Sequence, residues 1–143
     1  MRAKANGTDS LSLRGSISLR DNGAGTFYVT YNADVSTGGR ILRYKALTFV
    51  LNESISPQTV LVSGHVYHPD YGYVTLSTRQ ALQVYTTQSH PTAGVLYFSG
   101  AHSTNALVTF NGDAYTLDVD DDGDGAVDAT LDCGWTIDTC TAR

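Results

Sequence analysis

Apolar and polar residues alternate along most of this chain with a period of two. In "LSLRGSISLR" (11–20), Leu11, Leu13, Ile17 and Leu19 fall on one side, and Ser12, Arg14, Ser16, Ser18 and Arg20 on the other. Successive side chains of a strand point to opposite faces, so this pattern predicts a half-buried strand with Gly15 as a bulge. "DNGAG" (21–25) has the composition of a turn, and "TFYVTYNADV" (26–35) alternates again. The two segments predict a long hairpin.

The same reading continues downstream. "STGG" (36–39) breaks the chain, and "RILRYKALTFVLNE" (40–53), "TVLVSGHVYH" (59–68), "YVTLST" (73–78) and "LQVYTT" (82–87) read as strands. "AGVLYFSGA" (93–101) and "ALVTF" (106–110) form a hairpin around "HSTN". "AYTLDV" (114–119) and "AVDATL" (126–131) flank an acidic run. The expectation is a single all-β domain over residues 1–143. Its about ten antiparallel strands would form a meander, sandwich or barrel.

Composition supports that class. Glu occurs once, at Glu53, while Tyr, Thr, Ser, Val and Gly abound, so helix formers are scarce. With 41% hydrophobic and 16% charged residues, the chain is too apolar to be disordered. No stretch of 18 apolar residues predicts a membrane span. Met1 is followed by polar residues rather than an apolar leader, which reads as the start of a mature chain, as a chain with an added Met, or as a short cytosolic gene product.

The net charge of −5 conceals an asymmetry. No Lys or Arg lies between 80 and 142, whereas seven of the fourteen acids lie within 118–132. No basic footprint for nucleic acid is visible. The acids concentrate in "DVDDDGDGAVD" (118–128). Hard cations such as Ca²⁺ take several oxygen ligands, and a sharply turning loop with Asp at alternate positions can converge them. The register starting at Asp120 fits best. Asp122, Asp124, Gly125, the Ala126 carbonyl and Asp128 follow it, with Asp118 and Asp132 as additional candidate ligands.

That loop resembles the DxDGDG calcium loops of EF-hand-like, dockerin and thrombospondin type 3 repeats over about a dozen residues. It departs from the EF-hand where Leu131 stands in place of the closing Glu, and its flanks alternate as strands do. Weak binding, on the order of 10⁻⁴–10⁻³ M, is therefore expected. The competing reading is a solvated acidic turn, since Asp and Gly are ordinary turn residues. Mutual repulsion of the carboxylates, with no local basic partner, argues for a cation.

Cys133 and Cys140, in "CGWTIDTC", are predicted to form a disulfide that staples the C-terminus. A disulfide implies a secreted, periplasmic or cell-surface location. "YGYVTLST", "HPTAGVLYFSGA", "ALVTF" and "YTLDVDDDGDGAVDATLDCGW" together resemble a β-rich domain in secreted proteins and lipoproteins of Gram-negative bacteria, over about residues 71–135. The resemblance implies an envelope or extracellular β-fold and carries no catalytic residues.

No motif of nucleophilic, zinc-hydrolase, phosphate-loop or dinucleotide chemistry is present, so a non-enzymatic role is expected. His65, His68 and Asp70 sit at strand spacings that point His65 and His68 to opposite faces, against a metal site. "NGT" (6–8) and "NES" (52–54) match the glycosylation sequon. The expected function is a calcium-binding domain with a structural, adhesive or self-assembling role, with a homo-oligomer or surface assembly as partner. The first alternative is a carbohydrate-binding module, on Tyr67, Tyr71, Tyr73, Tyr85 and Tyr97. The second is a carrier of a hydrophobic ligand.

Overall fold

The computed structural model describes residues 2–5, 9–37, 40–135 and 140–143. Eleven strands appear among them, in chain order: β1 (Arg2–Ala5), β2 (Asp9–Asp21), β3 (Thr26–Thr37), β4 (Arg40–Asn52), β5 (Gln58–His68), β6 (Gly72–Val84), β7 (Ala93–Ser99), β8 (Asn105–Asn111), β9 (Ala114–Asp120), β10 (Ala129–Gly134) and β11 (Thr141–Ala142). They form one antiparallel sheet in which every strand pairs with its neighbours in sequence. The all-β expectation holds in its meander form: β1 and β11 lie at opposite ends, and the sheet does not close into a barrel.

Three details differ from the sequence reading. "YVTLST" and "LQVYTT" belong to one strand, β6, because residues 79–81 make bulges rather than a turn. β1 and β11 were not expected, since four and two residues carry too little periodicity to register. The turn expected at 36–39 includes Gly38 and Gly39, which lie outside the described residues, as does the sequon at 6–8.

Directly opposed residues share a face of the sheet. One row runs Ile17–Tyr31–Leu47, the next Leu19–Val29–Phe49–Val62, and another Phe27–Leu51–Val60–Leu82. The alternation therefore builds one continuous apolar face. Leu47, Val62 and Leu82 form its buried centre, with Tyr31, Tyr44, Phe49, Val60, Leu76, Leu96 and Phe110 packed around them.

A flat sheet could not bring residues of β4 and β8 around one centre. Bulges supply the bend. The register shifts between Tyr31 and Ala33, between Lys45 and Thr48, between Val60 and Ser63, and twice between Thr78 and Gln83. At β4 the irregularity places Ala46 at φ 49°, and the Asn32 carboxamide oxygen accepts its N–H at 2.8 Å. Gly64 faces this bend with φ 141°, and a Cβ there would lie 2.5 Å from the Leu47 Cα. Gly94 is equally close to the Leu82 backbone, which lets Phe110 on the next strand reach the core.

Cover is incomplete on this face at its first strands. Ile17 is 52% exposed and Leu19 70%. Among the described residues β1 pairs with Asp9–Ser12 alone, and none pairs with the outer edge of β2 from Leu13 onward. At the other end, β11 pairs with Leu131 and Asp132, and Arg143 donates its N–H to the Thr130 carbonyl.

Gly64→Ala is expected to cost about 3 kcal/mol or more, since strained φ and overpacking add. Gly112→Ala also meets a positive φ, in the milder left-handed region (φ 63°), with nothing within 4 Å of a Cβ. It should cost only about 1–2 kcal/mol. Urea denaturation midpoints compare the two directly; equal losses would mean that close approach at the bend is not a constraint.

Candidate metal centre

The acidic run caps the β9–β10 hairpin. β9 carries it in from Ala114 to Asp120, and β10 resumes at Ala129, three residues later than the alternation predicts. Gly123 (φ 79°) and Gly125 (φ 89°) supply left-handed backbone in the loop between. Gly123 lies directly on the His102 carbonyl, so any side chain there would collide with the 3-10 turn Ala101–Ser103. That turn, with His102 and Ser103 both at positive φ, braces the acidic loop from the side.

Asp120 is the buried member, at 4% exposure. Its carboxylate accepts hydrogen bonds from Asn105 Nδ2 at 2.7 Å, from the Gly123 N–H at 2.7 Å and from the Gly125 N–H at 3.1 Å. Register explains the first contact: Asn105 is directly opposite Asp120 across β8 and β9. Asp122 accepts the Asp124 N–H at 3.0 Å, and Asp124 accepts the Ala126 N–H at 2.7 Å. These short backward contacts curl the loop, as Asp side chains do in turns. One carboxylate oxygen from each of Asp120, Asp122 and Asp124 falls within 4.8 Å of the others, a cluster that can hold a metal ion.

The remaining sequence candidates sit around this cluster in other roles. Asp128 lies beside the loop and accepts the Asp121 N–H at 2.7 Å. That N–H holds its carboxyl below the usual carboxylate range. Asp121 is pushed the other way, first by the hydrogen bond it shares with Asp128 and then by that group's charge. Ala126 contributes its N–H to Asp124 and is exposed. Asp118 accepts the Thr130 hydroxyl at 2.7 Å across the hairpin stem. Asp132 is taken by Arg143, at 2.9 and 3.0 Å, and by Thr116. The structure thus brings Asp120, Asp122 and Asp124 together and engages Asp118 and Asp132 elsewhere. Among the described residues, no Lys or Arg pairs with any Asp between 118 and 128.

Cys133 and Cys140 form the expected disulfide. Cys133 is buried, and it fixes the tail that carries Arg143 toward Asp132. Trp135 stacks on Phe110 (5.6 Å between centroids) and on His90 (4.6 Å), so it covers the end of the apolar face. His65 and His68 do not converge: His65 Nδ1 lies 3.1 Å from the Thr75 hydroxyl, and His68 accepts the Asp70 N–H.

Asn105 is the residue that sequence reasoning missed. It closes the expected "HSTN" turn (102–105) as an ordinary turn residue, and only the strand register puts it against Asp120. No family model matches the chain, and neither a curated protein nor a solved structure matches it.

Asn105→Ala leaves a buried carboxylate short of one donor and is expected to cost about 1–3 kcal/mol. Asn111→Ala, at the exposed far end of the same strand, should stay within about 0.5 kcal/mol. Thermal melts in EDTA would measure both.

Proposed function

We propose that this chain is a structural β-domain whose last hairpin is closed by Ca²⁺. The observation that carries the reading is the buried Asp120 carboxylate converging with Asp122 and Asp124 at a tip that, among the described residues, no basic side chain pairs with. The donor set fits: all three groups are hard oxygen ligands, and two of them are exposed, which leaves room for water to complete the six to eight positions Ca²⁺ takes. Asp120 has both oxygens hydrogen-bonded and held in place, so it would bind without first reorganising. Bound Ca²⁺ would supply positive charge at the tip and nothing else. The disulfide is compatible with an extracellular location, where millimolar Ca²⁺ makes a weak site useful. No described helix is long and apolar enough to cross a membrane. The likeness to envelope β-domains of Gram-negative bacteria supports the same setting, as a proposal.

At 10 mM Ca²⁺ a site with Kd of about 10⁻⁴–10⁻³ M would stabilise the fold by about 1.4–2.7 kcal/mol. Thermal melts before and after EDTA should move accordingly, and Asp120→Asn and Asp124→Asn should remove the shift. An unchanged melting temperature at 10 mM Ca²⁺ sinks the reading.

The role we assign to this braced domain is assembly. The open edge of β2 from Leu13 onward is the observation in favour, because unpaired N–H and C=O groups template a further strand. Ile17 and Leu19 stand exposed beside it. An antiparallel second copy that sets Leu13 against Leu19 would oppose Arg14 to Ser18, so no like charges meet between those pairs. Sedimentation should show concentration-dependent dimers for the wild type, weakened about tenfold or more by Leu19→Lys, which buries a charge. Monomers at every concentration would refute the assembly role.

A further inference from the structure

The apolar face and the acidic tip leave the opposite face of the sheet unexplained. Across it, one register row crosses five strands: Arg14, Asp34, Arg43, Tyr67 and Tyr73. The adjoining row adds Lys45 opposite His65. Arg43, Lys45, His65, Tyr67 and Tyr73 line a shallow open groove of about 470 Å³.

Charge and exposure in the groove are unevenly used. Asp34 is spent on Arg43, which grips it with two hydrogen bonds at 2.7 and 3.0 Å. Lys45 has no acidic partner among the described residues. It sits immediately before Ala46, at the β4 bulge that Asn32 holds in shape. Tyr67 is 45% exposed and Tyr73 60%, and the His65 ring meets Tyr73 edge-on with centroids 6.1 Å apart. Two half-bare aromatic rings thus stand beside an unpaired ammonium, on rigid strands rather than on loops.

The geometry points to a binding groove for an acidic saccharide chain, with sugar rings on Tyr67 and Tyr73 and a carboxylate or sulfate on Lys45. Aromatic rings offer sugars a flat apolar surface, and an unpaired ammonium offers a charge-assisted hydrogen bond. Strands lie about 4.8 Å apart, so a row across five of them spans about 19 Å. That length suits an extended chain lying across the strands. Within the two rows, Arg14, Arg43 and Lys45 outweigh Asp34 by two charges, which matches a polymer of sparse negative charge. A nucleic acid, with a phosphate at every residue, would meet a protein of net charge −5.

Isothermal titration tests this directly, in EDTA so that the acidic loop takes no part. The probes are hexagalacturonate, a heparin hexasaccharide, cellohexaose and an oligothymidylate. At least one acidic saccharide should bind, and cellohexaose should bind at least about tenfold more weakly, as expected for a lost charge-assisted contact. Lys45→Gln and Tyr73→Ala should each weaken the acidic saccharide by about tenfold, the upper range for one such contact or stacking surface. Arg20→Gln removes the same charge outside the groove and should leave affinity within about twofold, as for a rim charge. Melting curves show whether the Tyr73 variant folds, and the exposed Lys45→Gln serves if it does not. The proposal is overturned if neither acidic saccharide binds, or if Lys45→Gln binds like wild type. It is also overturned if cellohexaose matches the acidic probes, or if the oligothymidylate binds more tightly than both.

Discussion

A sheet with no second layer must cover its own apolar face, and everything else in this molecule follows from how it does so. Sandwiches bury that face against another sheet, and barrels bury it by closure. Here the strands stay in one open meander, and a bulge in every strand pair from β3 to β7 turns the apolar face inward. The glycines at 64 and 94 are what permit neighbouring backbones to approach at that bend. The core that results is thin: among the described residues no large side chain is fully buried, and Leu47, Val62 and Leu82 carry its centre. Such a core leaves the ends of the sheet to other devices.

The two ends are treated oppositely. At the C-terminal end the disulfide, the short β11, the Arg143–Asp132 pair and the Trp135 stack together protect β10. The acidic hairpin belongs to the same set. Its buried carboxylate is held by two backbone N–H groups and by Asn105, so the tip already has its shape and the remaining cost is charge repulsion. At the N-terminal end no described residue pairs with the outer edge of β2 beyond Ser12. The bend has a further effect on the reverse face, because the bulge that buries Leu47 also displays Lys45 beside Tyr67 and Tyr73.

Much of the fold was legible because alternation is a local property. β2, β3, β4, β5 and β7 through β9 fall where period two places them, and the disulfide follows from there being only two cysteines. What alternation cannot encode is register. Residues 79–81 break the period just as a turn would, yet they are bulges inside β6. β11 exists only because a disulfide and a salt bridge bring Thr141 and Ala142 alongside β10. In the site, Asp spacing identified the converging residues of the loop. Asn105 and the His102 carbonyl lie 15 or more residues away in sequence from Asp120 and Gly123, so their parts emerge only from strand pairing. In the basic and aromatic row, Tyr67 and Tyr73 were already legible as sugar-stacking candidates, but only register sets Arg43 and Lys45 beside them. Its members come from five separate strands, and no short window contains more than two of them.

Strand order that matches chain order makes this sheet, in effect, a one-dimensional object. Each strand is supported by the two that flank it in sequence, and few contacts bridge further. Loop closure is therefore cheap at every step, and the chain can zip from any hairpin outward. The same linearity limits cooperation: as in repeat arrays, disruption at one end is felt mainly by the next strand along. Opening should accordingly begin at the bare β2 end and stop at the bend, where side chains from β3 to β8 share one cluster. The stapled hairpin at the far end then acts as a stopper, turning a sheet that could fray from both sides into one that frays from a single side.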